Sequence, residues 1–229
     1  MFPLRDSIRT RSLPIITWVL IIVNVLVFFV ELTLSTSGLN ALLSRYAIIP
    51  AHLNLANPST WLPLFTHMFL HGGWFHLISN MWTLAIFGDN VEDRLGSFRF
   101  LLFYLLGGVA AGFLQAFLSP DRLTPALGAS GAIAAVLGAY FLFYPRSRVV
   151  TLIPVFVFPW IVRVPALLYL GFWFVSQLFS GLLSLFPGSA AGQQNIAWWA
   201  HIGGFVFGLV AGLIFAGRRR SARYLPDEY

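Results

Sequence analysis

Cysteine is absent from the 229 residues, which excludes a disulfide framework, a thiolate metal site and a cysteine nucleophile together. Charge is scarce as well. Asp, Glu, Lys and Arg make up 10% of the chain and hydrophobic residues 58%, where a soluble domain carries roughly 25% charged residues. Water is therefore not the solvent for most of this surface. The length permits one domain, and the apolar stretches follow one another too closely to leave room for a separate soluble module. A formal net charge of +6 could suit nucleic acid, but the basic residues flank apolar stretches. The charge reads as a determinant of membrane orientation, and no nucleic-acid partner is expected.

What the chain has in abundance is long apolar runs. A helix needs about 20 apolar residues to cross a bilayer, and six such stretches lie near 13–34, 72–92, 98–118, 126–144, 163–186 and 198–217. None shows the alternation of barrel strands, and only helices or closed barrels satisfy their backbone in lipid. The expected fold class is an all-α polytopic membrane protein with six transmembrane helices. The first apolar run is longer than a signal-peptide core and no A-x-A site follows Leu34, so it reads as an uncleaved span. The division is a segment 1–12, a membrane domain 13–217 and a polar tail 218–229. Between the first two spans, residues 35–71 are too apolar for a solvated loop and too broken for a span. They read as interfacial, anchored by Tyr46 and Trp61.

Arginine is the only basic residue besides histidine. With six spans and a cytoplasmic N-terminus, the inner segments hold Arg5, Arg9, Arg11, Arg94, Arg99, Arg146, Arg148, Arg163, Arg218, Arg219, Arg220 and Arg223. The outer segments hold only Arg45 and Arg122. That asymmetry fits the positive-inside rule, and two basic termini require an even number of spans. Both termini are expected in the cytoplasm.

In this topology the second, fourth and sixth spans start at one depth, and their first turns carry residues that hydrocarbon disfavours. The second opens at His71-Gly72-Gly73-Trp74-Phe75-His76 and reaches Asn80, the fourth opens at Gly128-Ala129-Ser130-Gly131, and the sixth at Trp198-Trp199-Ala200-His201. Polar groups in spans face the protein interior or a wet cavity, so three such clusters at one level point to a shared polar site. Ser130 supplies a nucleophile that needs an adjacent base, and His76 and His201 are the available bases. His76 and Asn80 share a helical face and can address one oxygen, as can backbone N–H groups at the start of the fourth span. The only outer carboxylates, Glu31 and Asp121, flank odd-numbered spans, so a Ser–His dyad is the economical reading. Gly204, Gly208 and Gly212 repeat every four residues, and Gly131, Ala135 and Gly138 offer a matching small face on the fourth span. Gly108 and Gly112 do the same on the third. Such faces let membrane helices meet closely.

His67 and His71 read as loop-stabilising or cavity-lining and His52 as interfacial. A zinc site built from His67, His71 and His76 has no H-E-x-x-H and no carboxylate base beside it, so neither metal nor cofactor is expected.

The run from His67-Met68-Phe69-Leu70-His71 through His76-x-x-x-Asn80, the stretch Phe87-Gly88-Asp89-Asn90-Val91-Glu92-Asp93-Arg94-Leu95-Gly96, Gly128-Ala129-Ser130-Gly131 and Ala200-His201-Ile202-Gly203-Gly204 together resemble the rhomboid intramembrane serine proteases, from about Trp61 to Gly212 and in order. The resemblance implies a six-span rhomboid-like bundle of the prokaryotic type in the cell membrane, whose partners are lipid and transmembrane protein substrates cut in or near their spans. It implies Ser130 as nucleophile, His201 as general base, and an oxyanion hole of His76, Asn80 and the backbone N–H of Ala129 or Ser130. The fifth span, with Trp173 and Gln177, would border a lateral gate, and the 187–197 loop would cap the site. Two departures stand out: Trp61-Leu62-Pro63 replaces a Trp-Arg pair of many relatives, and Ala134 stands where some carry a tyrosine against the catalytic histidine. The rival readings are an inactive rhomboid-like protein that binds membrane helices and a small-solute transporter. The transporter reading requires an inverted repeat or a polar trail to the inner face, and the sequence has neither.

Overall fold

The computed structural model describes residues 2–155, 158–186, 188–193 and 196–216. The expected tail 218–229, with Arg218, Arg219, Arg220 and Arg223, lies outside the described residues, as does Gly217. Apolar sequence in lipid must bond its backbone internally, and this chain does so as helices. These are α1 (Ile15–Thr33), α2 (Thr36–Tyr46), α3 (Pro63–Thr66), α4 (Trp74–Leu95), α5 (Ser97–Leu118), α6 (Ser130–Phe143), α7 (Ala166–Ser184), α8 (Ala190–Gln193) and α9 (Trp198–Ala216). Six of them, α1, α4, α5, α6, α7 and α9, overlap the six apolar stretches. Among the described residues, α1, α5 and α7 are long and apolar enough to cross a membrane, while α6 and Trp198–Ile214 are apolar but shorter. The protein is a polytopic membrane protein built as a helical bundle.

The outer helices show where the lipid lies. Trp18, Ile22, Leu26 and Phe29 on α1, and Leu168, Phe172, Val175 and Phe179 on α7, are exposed. The stripe that α1 buries instead includes Thr17, Asn24 and Glu31. Such inside-out polarity is expected when the solvent is hydrocarbon. At the start of α1, Glu92 of α4 accepts from the Ile16 and Thr17 N–H groups at 3.0 and 2.8 Å and from Thr17 Oγ1 at 2.8 Å. A carboxylate here satisfies otherwise orphaned donors and the positive end of the helix dipole. Ser97 Oγ donates to the same carboxylate at 2.6 Å, so one acid pins α1, α4 and α5 together.

The bundle is accompanied by a small sheet that the apolar runs did not announce. Strands β1 (Phe2–Asp6), β2 (Arg148–Val155) and β3 (Phe158–Pro165) pair antiparallel in the order β1-β2-β3. The N-terminal segment 1–12 therefore contributes an edge strand. Trp82 Nε1 of α4 donates to Pro3 O at 2.6 Å, and Asp6 accepts from Asn90 Nδ2 at 2.9 Å and from Tyr140 OH at 2.5 Å. The strand closing the sheet is more than 140 positions away in sequence, so no local pattern reveals it.

At the centre, α6 and α9 meet backbone to backbone. A Cβ on Gly204 would overlap the Gly131 carbonyl oxygen, one on Gly208 the Ala135 carbonyl, and one on Gly138 the Phe205 carbonyl. Gly108 packs against Met68, and Gly112 against Ile48 and His67. Backbone cannot swing aside as a side chain can, so Gly208→Ala must push the helices apart. Overpacking of this kind costs about 1–3 kcal/mol. Thermal unfolding in detergent is expected to show a lower Tm for Gly208→Ala and an unchanged one for Gly171→Ala, whose added Cβ would meet only Phe141 at 3.8 Å.

Candidate active site

The approach to α6 is shaped by one glycine. Gly128 has φ +123, a conformation that side-chain-bearing residues rarely adopt. Its N–H donates to the His67 carbonyl at 2.9 Å. A Cβ at Gly128 would lie 2.6 Å from the His76 ring and 3.7 Å from Asn80 Nδ2, so the bare backbone is pressed against both side chains. Ala129 then serves as N-cap without any side-chain cap hydrogen bond, and Ser130 is the first residue of α6. The first-turn N–H groups, unpaired within the helix, are left beside the Ser130 hydroxyl.

His201 enters from α9, one turn after Trp198. The tight α6–α9 contact brings its Nε2 to 2.8 Å from Ser130 Oγ. Its Nδ1 lies 2.7 Å from Gln177 Oε1 of α7. The Trp173 ring sits 5.7 Å from the imidazole, tilted by 37°, and the Trp198 ring 6.4 Å away and perpendicular. Aromatic neighbours thus reach His201 from α7 and α9. Ala134, in the position where a tyrosine was an alternative, is buried and faces Gly204 within the α6–α9 contact.

Ser130, His201, His76 and Asn80 line one cavity of ≈ 690 Å³, together with Phe75 and Trp198. The described part of the expected 187–197 cap contributes Ala191, Gly192, Ile196 and Ala197. Asn80 Nδ2 is buried without a hydrogen-bond partner. His76 Nδ1 accepts, at a long 3.4 Å, from the Gly72 N–H. That bond leaves the ring proton on Nε2, the atom nearest Gly128 together with Cε1. Two donors, His76 Nε2 and Asn80 Nδ2, therefore stand by the turn that leads into Ser130.

Neither outer carboxylate bonds to the imidazole. Glu31 accepts from the His71 N–H at 3.3 Å, and Asp121 accepts from the Leu123 and Thr124 N–H groups at 2.9 and 3.0 Å. His67 Nδ1 donates to the Pro63 carbonyl at 2.9 Å, and burial pushes this imidazole down to about 4. It is a neutral brace that holds the Gly128 turn through its own carbonyl. The His71 ring packs edge-on against His76 at 5.1 Å, and His52 lies exposed at the end of a short 3-10 turn. Among the described residues, no group of three or more His, Asp or Glu side chains could hold a metal ion.

Two glutamines join the site through hydrogen bonds that sequence spacing does not announce. Gln115 Oε1 accepts from the Ala200 N–H at 3.2 Å, which steadies the start of α9. Gln177, expected to border the gate, bonds His201. Both are 7% exposed in otherwise apolar helices, and an amide in such a place is the signal that could have singled them out.

Comparison with known proteins adds an independent observation. The family model for the Rhomboid domain matches residues 58–218. The chain is 31% identical over 160 residues to presenilin-associated rhomboid-like protein A, mitochondrial, of Danio rerio, covering 68% of this chain and 38% of that protein. It is 30% identical over 155 residues to RHOMBOID-like protein 1 of Arabidopsis thaliana, covering 66% and 34%. With the bacterial protein YdcA of Bacillus subtilis (strain 168) it shares 31% identity over 142 residues, covering 61% and 68%. The chain thus spans little more than a third of the length of the first two relatives.

Proposed function

The chain belongs to the rhomboid family, and on that premise we propose that it is a serine endopeptidase that hydrolyses peptide bonds in or near the transmembrane segments of other membrane proteins. The observation that carries this reading is the 2.8 Å contact between Ser130 Oγ and His201 Nε2 within a cavity of ≈ 690 Å³. Ser130 Oγ attacks the scissile carbonyl carbon while its proton passes to His201 Nε2. The new oxyanion is met by His76 Nε2–H, Asn80 Nδ2–H and the backbone N–H of Ala129 or Ser130. Collapse breaks the C–N bond, and His201 returns the proton to the leaving amine. Water, activated by the same imidazole, then hydrolyses the acyl-enzyme. The arginine asymmetry supports placing both termini in the cytoplasm, with the cavity facing outward.

The test is to reconstitute the purified protein with a single-span model substrate and sequence the fragments. Wild type cuts at a defined bond in or beside the span. A protein that merely captures membrane helices returns the substrate whole, and that result overturns the reading. Removal of one oxyanion donor costs on the order of 10²–10³ in kcat, so Asn80→Ala is expected to fall by that factor and retain measurable cleavage at the same bond.

A further inference from the structure

Resting on the serine-endopeptidase reading, we infer that Gln177 is a positioning residue for His201, and that Ser176 and the Trp173 carbonyl fix the direction in which it acts. Four hydrogen bonds run in series. Ser176 Oγ lies 2.6 Å from Trp173 O, Gln177 Nε2 lies 3.0 Å from Ser176 Oγ, His201 Nδ1 lies 2.7 Å from Gln177 Oε1, and Ser130 Oγ lies 2.8 Å from His201 Nε2. Two amide orientations and two imidazole tautomers are conceivable in isolation, but the fixed end of the chain selects one of each.

A carbonyl oxygen only accepts, so Ser176 must spend its single proton on Trp173 O. The Ser176 oxygen can then only accept, which requires the Gln177 NH₂ on its side. Gln177 Oε1 therefore faces His201, and Nδ1 must carry the ring proton. Nε2 is left with its lone pair toward Ser130, the tautomer that a general base needs. With the amide reversed, its oxygen would face a spent hydroxyl oxygen while its NH₂ faced Nδ1. The proton would then sit on Nε2, and His201 could take nothing from Ser130. The tilted Trp173 ring at 5.7 Å restricts rotation of the imidazole away from this line.

A neutral amide suits this location. Gln177 is 7% exposed, and an ionised carboxylate in the same apolar setting would carry a large desolvation penalty. The amide orients the ring and offers a dipole, not a full charge, to the imidazolium formed during attack. Sequence spacing makes the arrangement local. Trp173, Ser176 and Gln177 lie within about one turn of α7, so the helix itself presets the carbonyl, the hydroxyl and the amide.

The assignment is tested on the full chain in lipid nanodiscs with ¹⁵N-labelled histidine, the His201 signal being identified by its loss in His201→Ala. Wild type is expected to show the Nδ1–H tautomer. Gln177→Met, close in volume, is expected to show a mixed or Nε2–H population, to lower kcat by roughly 10²-fold, within the ~10²–10⁴ that general acid–base catalysis contributes, and to leave KM within about threefold. Gln177→Glu keeps an accepting oxygen and is expected to recover most of the lost kcat. Ser176→Ala frees the amide to reverse and is expected to fall between wild type and Gln177→Met. Wild-type kcat and an unchanged tautomer in both Gln177→Met and Ser176→Ala overturn the assignment. Failure of the protease reading looks different: wild type itself then cleaves nothing, while the tautomer spectrum still reports whether Gln177 orients the ring.

Discussion

Ser130→Ala is expected to abolish turnover while leaving the fold intact, and His201→Ala to do the same. In the proposed mechanism the two side chains act as one unit. The hydroxyl is a weak nucleophile until its proton has somewhere to go, and the imidazole 2.8 Å away has no other task in the attack. In soluble serine proteases, loss of either member costs on the order of 10⁶ in kcat. A rate reduced by that factor is expected to lie below detection. Dependence as a unit also predicts non-additivity: the double variant Ser130→Ala/His201→Ala is expected to be no worse than either single one. Thermal unfolding of all three should stay near wild type, because the Ser130–His201 hydrogen bond is a single addition to an α6–α9 contact that runs mainly through glycine and alanine backbone. Equal inactivity with retained stability, read by fragment analysis and a melting curve, supports a chemical role. Loss of activity that tracks loss of Tm supports a structural one.

The second large effect is expected at Gly128. At φ +123 a side chain brings backbone strain of about 1–3 kcal/mol. Its first carbon would also sit 2.6 Å from the His76 ring. The ring is the part able to yield, so Gly128→Ala is expected to displace His76 from its proposed oxyanion position even though no proposed catalytic group is deleted. Loss of one such donor is worth on the order of 10²–10³ in kcat, and the turn that presents the Ser130 N–H is disturbed as well. A double-mutant cycle separates the two contributions. On a His76→Ala background the ring is already gone, and Gly128→Ala is expected to lose most of its effect. A full effect on that background places the damage in the Ser130 turn instead.

Much of this was legible in the sequence because lipid imposes simple rules. Apolar runs of span length in lipid become helices, so the bundle follows from hydropathy alone. Polar residues at matching depth in the second, fourth and sixth stretches pointed to one meeting place, and the structure brings Ser130, His201, His76 and Asn80 to one cavity. The Gly204–Gly208 spacing named the helix pair that makes this possible. What remained hidden depends on partners distant in sequence. The β1 strand reads only as part of an N-terminal segment 1–12 until β2 pairs with it. Glu92 reads as an inner-end charge until α1 arrives to be capped. With Ala134 in place of a tyrosine, the sequence leaves open what holds His201. The answer lies on α7, where Trp173 and Gln177 approach the imidazole, and no spacing within α7 says which way its amide faces.

The most direct test of the central claim is labelling of the purified, lipid-reconstituted protein by a serine-directed fluorophosphonate, with the modified residue located by mass spectrometry. The account predicts a single phosphonylated residue, Ser130, with labelling lost in His201→Ala. Wild type that resists the reagent, or labelling that persists unchanged when His201 is removed, would contradict it.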